Sequence, residues 1–206
     1  MFKELVRHMF PRAVASDTLA ITYTFCLGGL AFTCLMVLGL TGLLLLFYYS
    51  PSPSTAHDSI QFLESYVWGG AFLRSLHRLA SHALLVLLVL HTLRVILTGA
   101  FQAPRKMNWV VGCLLLVACV LEAYTGYLLP MDQLAYWATL TGMELLRSLP
   151  FGDAARAVLV PDGVGGPLSL LRFFALHVAI IPIALLSMSM LHFFVIRRQK
   201  GLLPYL

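Results

Sequence analysis

Apolar residues dominate four long stretches of the chain, and polar clusters separate them. The stretches run over residues 20–49, 79–101, 107–129 and 173–196. Each is long enough to cross a bilayer as a helix, which takes about 20 residues. The pattern therefore predicts an all-α membrane protein in which four transmembrane helices form one bundle and a single domain, residues 1–206.

The connections between these helices differ in length and character. Residues 50–54 alternate serine with proline and are expected to end the first helix. Residues 58–73 are expected to hold a short surface helix, and residues 101–106 form a tight basic loop. The long connection after the third span is apolar over residues 133–149, which predicts an interfacial helix there.

Composition excludes several classes of protein. Hydrophobic residues make up 60% of the chain and charged residues 11%, against about 45–50% and about 25% in soluble domains. This rules out a disordered chain and an ordinary soluble enzyme. All four cysteines lie inside apolar stretches and predict no disulfide framework. No cleavable signal peptide is evident, because the first apolar run is too long.

The net charge of +5 indicates membrane orientation rather than nucleic-acid binding, since the basic residues lie at the ends of apolar runs and form no stripe. Nine of them lie in the N-terminal segment, the second-to-third connection and the C-terminus. Both termini are therefore expected on the negative side of the membrane, the cytoplasmic or stromal side. The nine are Lys3, Arg7, Arg12, Arg94, Arg105, Lys106, Arg197, Arg198 and Lys200.

Four histidines are expected within or at the ends of the spans, where ionisable groups are costly and usually functional. His77 and His91 are 14 residues apart on the second helix, and His177 and His192 are 15 apart on the fourth. At about 100° per residue both spacings return to nearly the same helix face. These two helices run parallel in a four-span chain, so His77 faces His177 and His91 faces His192. Two facing pairs at two depths favour two bis-histidine haems.

Glycines on the other two helices share this period. Gly28 and Gly42 are 14 residues apart on the first helix, and Gly112 and Gly126 are 14 apart on the third. These helices run opposite to the histidine helices, so Gly42 and Gly126 fall at the outer level and the other two at the inner level. A flat macrocycle needs the close approach that glycine allows, so each haem is expected to pack on two glycines.

Single membrane histidines and glycines usually serve hydrogen bonding and helix packing, and only the shared period favours haem binding here. His82 is out of phase with His91 and is expected to face elsewhere. Anionic haem propionates need cationic partners, although membrane anchoring explains each nearby arginine equally well. The candidate arginines are Arg74, Arg78, Arg94 and Arg172.

Several motifs resemble those of the cytochrome b family, in particular its short four-helix cytochrome b6 type. The resemblance covers nearly the whole chain. The stretches that carry it are residues 25–29 (Phe-Cys-Leu-Gly-Gly), 74–78 (Arg-Ser-Leu-His-Arg), 91–99 (His-Thr-Leu-Arg-Val-Ile-Leu-Thr-Gly), 125–133 (Thr-Gly-Tyr-Leu-Leu-Pro-Met-Asp-Gln), 172–177 (Arg-Phe-Phe-Ala-Leu-His) and 192–201 (His-Phe-Phe-Val-Ile-Arg-Arg-Gln-Lys-Gly).

The resemblance implies an assignment for each cofactor. His77 and His177 would ligate the iron of an outer, lower-potential haem b, and His91 and His192 that of an inner, higher-potential haem b. Cys26 lies where the cytochrome b6 type attaches a third, c-type haem through a single thioether. On chemistry alone, a lone membrane cysteine is a small apolar residue.

The implied function is electron transfer within a quinol:cytochrome c or plastocyanin oxidoreductase complex, from an outer quinol site through two haems b to an inner quinone site. The implied partners are a C-terminal cytochrome b subunit resembling subunit IV, a Rieske iron–sulfur protein and a c-type cytochrome, in a dimeric complex surrounded by lipid. The membrane would be a bacterial plasma membrane or a thylakoid. The Pro-Glu-Trp-Tyr motif of longer cytochromes b is missing from this sequence, so the subunit is not expected to act alone.

Three features depart from the family pattern. Met131 replaces a tryptophan near the outer quinone pocket, and residues 139–150 form a shorter segment than usual. Glu122 lies in the third span, where the family is apolar. An ionised carboxylate at mid-bilayer costs about 2.5–3.5 kcal/mol on insertion scales, so Glu122 is expected to be protonated or hydrogen-bonded.

Two other functions stay open at this point. A dihaem membrane anchor of a dehydrogenase or hydrogenase would pass electrons to quinone without splitting them between two paths. A haem-free transporter or assembly bundle would use the histidines for packing. A visible spectrum separates the second from haem proteins, and a neighbouring Rieske gene favours the oxidoreductase complex over the anchor.

Overall fold

The computed structural model describes residues 25–199, and this part of the chain is helical without a β-strand. Side chains are described through Arg198. The helices, in chain order, are α1 Leu27–Leu46, α2 Ala56–Tyr66, α3 Gly70–Leu97, α4 Lys106–Leu128, α5 Gln133–Arg147, α6 Gly152–Leu159, α7 Pro167–Ala175, a π-helical turn Leu176–Ile180 and α8 Ile181–Gln199.

Four helical runs are long and apolar enough to cross a membrane, which confirms the predicted fold class. They are α1, α3, α4 and the continuous run Pro167–Arg198, with mean hydropathies between 1.9 and 2.3. Only 11% of each apolar stretch is buried within the chain. Apolar surface on this scale requires lipid or other subunits around it.

The second and fourth spans begin earlier than the hydropathy pattern predicts. α3 begins at Gly70, nine residues before the expected start, because Gly69 turns the chain at a φ of +73° and the helix then continues through the polar residues around His77. The fourth span begins at Pro167, a residue favoured in the first helical turn. The first helix begins at Leu27, and the expected residues 20–24 lie outside the described part of the chain.

The connections contain the two extra helices that the sequence predicts. α2 occupies most of the expected surface segment, and α5 occupies the expected interfacial one. The Asp132 side chain caps α5 by accepting a hydrogen bond from the Ala135 amide at 2.8 Å. The short helix α6 was not predicted, and it begins after Phe151, whose backbone is left-handed with φ of +62°.

Contacts among the described residues cluster into two compact units, each drawn from several helices. Among the described residues, the first unit contains residues 25–36, Ala80–Cys119 and residues 184–199. The second unit contains Val37–Leu79 and Val120–Ile183. Each spanning helix contributes residues to both units.

The second unit has an apolar core beneath its connecting helices. Leu128, Leu170 and Phe173 are buried there, and Met131 packs against this core. Tyr49 packs against this core, and its hydroxyl donates a hydrogen bond to the Leu129 carbonyl at 2.7 Å. Burial raises the pKa of the Tyr49 phenol, which therefore stays a neutral donor. These contacts fix the ends of α1, α4 and α7 that carry the candidate site.

A π-helical turn interrupts the fourth span at residues Leu176–Ile180 and contains His177. Pro182, the second residue of α8, has no amide hydrogen to donate to the carbonyl four residues earlier. Such turns add one residue to a helix and are frequent at functional sites. The extra residue accounts for the 15-residue histidine spacing on this span, against 14 on α3.

Candidate cofactor-binding site

His77 from α3 and His177 from the π-helical turn face each other inside the second unit. Their ring centroids are 6.3 Å apart and their planes make an angle of 74°. Both side chains are half-buried. Imidazoles in this arrangement can bind opposite sides of one metal ion.

The separation of the two rings fits one iron between them. With metal–nitrogen bonds of about 2.0 Å and ring centres about 1.1 Å beyond the bonded nitrogens, two trans imidazoles have centroids roughly 6 Å apart. The observed 6.3 Å agrees with this value. Among the described residues, no three His, Cys, Asp or Glu side chains converge on a metal site, so the remaining ligands would have to belong to the cofactor itself.

A glycine lies against each of these two rings and leaves room for the imidazole beside the helix backbone. A methyl group at Gly42 would lie 3.3 Å from His77 Cε1. One at Gly126 would overlap His177 Cε1 and lie 2.9 Å from both ring nitrogens. Any side chain at Gly126 would therefore displace the histidine ring, so this glycine makes room for the imidazole itself.

The second nitrogen of His77 is held by Thr41. The hydroxyl Oγ1 lies 2.7 Å from His77 Nδ1 and 2.7 Å from the Val37 carbonyl one turn earlier on α1. A partner on Nδ1 orients the ring and leaves Nε2 available as a ligand. Sequence reasoning missed Thr41, although a Thr-Gly pair occurs at both positions, Thr41-Gly42 and Thr125-Gly126.

His177 has a different set of partners, all on α4. Its Nδ1 lies 3.1 Å from the Glu122 backbone carbonyl, 3.1 Å from the Glu122 carboxylate and 3.3 Å from the Thr125 hydroxyl. The Thr125 hydroxyl itself donates to the Glu122 carbonyl at 2.9 Å. Glu122 is expected from the sequence to be protonated or hydrogen-bonded. In the structure it has a specific polar partner, His177, 55 residues away in the sequence.

The first unit contains the other histidine pair. His91 and His192 are close enough for their charges to interact. A methyl group at Gly28 would lie 3.3 Å from His91 Cε1, and one at Gly112 would lie 3.3 Å from His192 Cε1. This pair repeats the glycine packing of the second unit.

Polar partners are fewer around His192. Its Nδ1 is buried near the Asn108 backbone but makes no hydrogen bond of normal geometry within the described residues. The Asn108 side-chain oxygen is also buried without a hydrogen bond there. Asn108 lies one turn before Gly112, and sequence reasoning did not single it out.

The four candidate arginines differ in their surroundings. Arg74 forms an ion pair with Glu64 of α2, and Arg172 donates to the Val158 carbonyl at the end of α6. Arg94 is close enough to His91 for electrostatic interaction. Arg78 directly follows His77 on α3 and is exposed. In this structure Arg74 and Arg172 thus tie connecting helices to the spans.

Cys26 directly precedes α1 and its side chain is exposed. Its backbone is left-handed, with φ of +51°, and its carbonyl accepts the Leu30 amide at 2.8 Å. The other three cysteines, all in spans, are half-buried or buried and form no disulfide among the described residues. His82 is exposed on α3.

Known proteins match both the sequence and the fold. The profile of the family described as cytochrome b/b6/petB matches residues 14–200. The cytochrome b6 of Heliomicrobium gestii is 41% identical over 198 residues, which is 96% of this chain and 90% of the relative. The menaquinol:cytochrome c reductase cytochrome b subunit of Geobacillus thermodenitrificans is 36% identical over 201 residues, or 97% and 90%.

A solved chain from a hyperthermophilic respiratory complex III superposes with a TM-score of 0.82 at 29% identity. The match covers 95% of this chain and 52% of that one, so this chain spans about half the length of the solved chain. Four apolar spans that present paired histidines define a membrane-spanning electron-transfer protein. The chain belongs to the cytochrome b family, as its motifs predicted, and is of the type found in b6f and bc complexes.

Family membership fixes the coarse identity of the site. The protein is an integral, multi-pass membrane subunit of an oxidoreductase complex, and its family binds b-type haem. The residues present fit such a group, because each histidine pair lies against two glycines and the rings of His77 and His177 have the separation that one iron requires.

Proposed function

We propose that this subunit holds two bis-histidine haems b and relays electrons from quinol, oxidised near the outer face, to quinone near the inner face. The observation that carries the proposal is the facing pair His77 and His177, 6.3 Å apart, with each ring against a glycine. His91 and His192 would hold the second haem b. When bound, haem b supplies reversible one-electron transfer.

The chain's own residues determine how each haem is held. The Nε2 atoms of His77 and His177 would ligate the outer iron while Thr41 and α4 hold their Nδ1 atoms in place. Fixed tautomers and fixed ring orientation strengthen metal binding. Gly42 and Gly126 would let the macrocycle approach the helix backbones, and the apolar spans would exclude water.

Partners and orientation extend this proposal. A C-terminal cytochrome b subunit resembling subunit IV, a Rieske iron–sulfur protein and a c-type cytochrome would complete a dimeric complex in a bacterial plasma membrane or thylakoid. The menaquinol:cytochrome c reductase relatives support such a set of partners. The distribution of lysine and arginine supports placing both termini on the negative side.

The proposed haem sites can be tested by removing one ligand at a time from the complex in its membrane. His77→Ala should lose the outer haem b and His91→Ala the inner one, measured as haem b per complex by pyridine haemochrome. His82→Ala is the matched control from the same helix, and it should keep both haems. Loss of a haem b in the His82 variant, with full retention in the His77 variant, would overturn the ligand assignment.

The proposal includes a covalently attached c-type haem at Cys26. Its support is the exposed thiol immediately before α1 and the Phe-Cys-Leu-Gly-Gly context shared with the cytochrome b6 type. The wild-type subunit should keep haem on a denaturing gel, and Cys26→Ser should lose the haem stain. Cys34→Ser, on the same helix, should keep it. An intact mass without haem for the wild-type subunit would exclude a covalent site.

Quinol oxidation that delivers electrons along two paths is proposed to need the second membrane subunit. Reconstitution of the haem-loaded subunit alone with a quinol and a c-type cytochrome should give no inhibitor-sensitive reduction of that cytochrome. Sustained reduction without another protein would show that the outer pocket is complete within this chain. That result would contradict the division into two subunits.

A further inference from the structure

Glu122 is a carboxylate inside an apolar span, and it lies directly behind one of the proposed haem ligands. Its Oε1 is 3.1 Å from His177 Nδ1, and both side chains are 17% exposed. We propose that Glu122 is a positioning residue that accepts the Nδ1–H of His177 and lowers the reduction potential of the outer haem. The proposal rests on His177 being a ligand of that haem.

His77 and His192 have no comparable partner within the described residues. His77 Nδ1 pairs with the neutral hydroxyl of Thr41 at 2.7 Å. His192 Nδ1 makes no hydrogen bond of normal geometry within residues 25–199. A carboxyl acceptor behind His177, against a hydroxyl behind His77, therefore makes the two proposed ligands of the outer haem chemically unequal.

Glu122 offers two acceptors to the Nδ1–H of His177, its side-chain carboxylate and its backbone carbonyl. Its backbone carbonyl also lies 3.1 Å from His177 Nδ1, so the ring stays oriented when the side-chain acceptor is removed. The carboxylate thus adds electron density and charge to a ligand whose orientation the backbone already supports. The second carboxylate oxygen, Oε2, is buried without a hydrogen bond in the described part of the chain. The polar contact of this side chain is therefore the one between Oε1 and His177 Nδ1.

The direction of the effect follows from charge. A bis-histidine haem core carries one net positive charge when its iron is ferric and none when it is ferrous. A carboxylate behind the ligand stabilises the charged state, and stronger electron donation by the imidazole favours the same state. Glu122 would therefore make the outer haem harder to reduce, which is the direction needed for an electron to move onward to a haem of higher potential.

The test compares Glu122→Gln, Glu122→Met and Glu122→Asp with the wild type in the assembled complex at one pH. The measurement is a redox titration of each haem b by its visible absorption. In both neutral variants, the ferrous-to-ferric ratio of the outer haem at a fixed potential should rise about tenfold, which is about 59 mV for a one-electron couple. Glu122→Asp keeps a carboxylate and should shift the ratio less. Glu144→Gln, an exposed glutamate on α5 that pairs with Arg147, is the control and should shift nothing.

Two results would overturn the proposal. One is a wild-type reduction potential of the outer haem in Glu122→Gln or Glu122→Met, measured in each of these variants that still binds this haem. The other is an equal shift in the Asp and Gln variants, because a carboxylate that matters only for packing would give it. Failure of the ligand assignment itself would be seen separately, as an outer haem b that persists in His177→Ala.

Discussion

Alanine at Gly126 should weaken binding of the outer haem while it stabilises the helix that carries it. The added methyl group would overlap His177 Cε1 and press on both ring nitrogens at 2.9 Å. Carbon atoms in good contact lie about 3.5–4.0 Å apart, so the ring must move by on the order of 1 Å. A ring held by iron on one nitrogen and by α4 on the other has no room for that movement.

The magnitude follows from known costs of overpacking. Forcing an extra carbon into a packed site costs about 1–3 kcal/mol, which corresponds to about a 5- to 150-fold loss of haem affinity. Replacing glycine by alanine inside a helix contributes about 1 kcal/mol in the opposite direction, but this gain applies to the polypeptide with or without haem. Helix stability and haem affinity should therefore change with opposite signs.

The assay is the rate at which the purified complex loses haem b to excess apomyoglobin, followed by absorption. Gly126→Ala should release the outer haem faster than the wild type. Gly42→Ala, with its closest contact at 3.3 Å, should have a smaller effect, since a shift of a few tenths of an ångström relieves it. Gly39→Ala is the matched control on α1, because a methyl group there would meet nothing within 4 Å. Wild-type release from Gly126→Ala would refute the view that this glycine makes room for the ring that holds the outer haem.

Two further predictions concern the supports of the site. Thr41→Val removes the partner of His77 Nδ1 at unchanged volume and should weaken outer haem binding about 10- to 100-fold in the same assay. Thr33→Val, which loses only a hydrogen bond to the Gly29 carbonyl, is the control and should not weaken haem binding. Equal effects of the two substitutions would exclude a specific role for Thr41. Asp162 caps α7 through Ser169 and Leu168, and the Ser169 hydrogen bond is the main cause that lowers the pKa of its carboxyl. The stability that the Asp162 carboxylate contributes is present above the ordinary aspartate pKa of about 3.9 and is lost as the pH falls through its lower folded pKa. The thermal midpoint of Asp162→Asn should therefore be lower than that of the wild type at pH 7 and should vary less between pH 6 and pH 3. A pH profile of the thermal midpoint identical to that of the wild type would show that the cap is dispensable.

Helical periodicity accounts for the part of the site that sequence could predict. His77 faces a glycine of α1 and His177 a glycine of α4, and both assignments follow from the 14-residue period together with the alternating direction of four spans. Each step needs only the rise and rotation of an α-helix. Residues that share one helix face are therefore readable from sequence when their spacing repeats on several helices.

Helix ends were predicted less well because local hydropathy does not determine them. α3 begins at Gly70 since its polar first turns are held by the Arg74–Glu64 ion pair, a contact with another helix. The π-helical turn around His177 had a signal in Pro182, but a proline inside a span is compatible with several local distortions. Which distortion forms depends on the packing of the neighbouring residues.

Hydrogen-bond partners across helices were the least predictable feature, and Glu122 shows why. The sequence shows a carboxylate whose burial in a span is costly, and that cost demands a partner. It does not name the partner, because the position of His177 relative to α4 is set by the core around Leu128, Leu170 and Phe173 rather than by any period along one helix. The same packing gives His177 a charged acceptor and His77 a neutral one. The proposed ligand assignment thus follows from helical geometry, whereas the proposed tuning of the outer haem depends on contacts that only the folded chain creates.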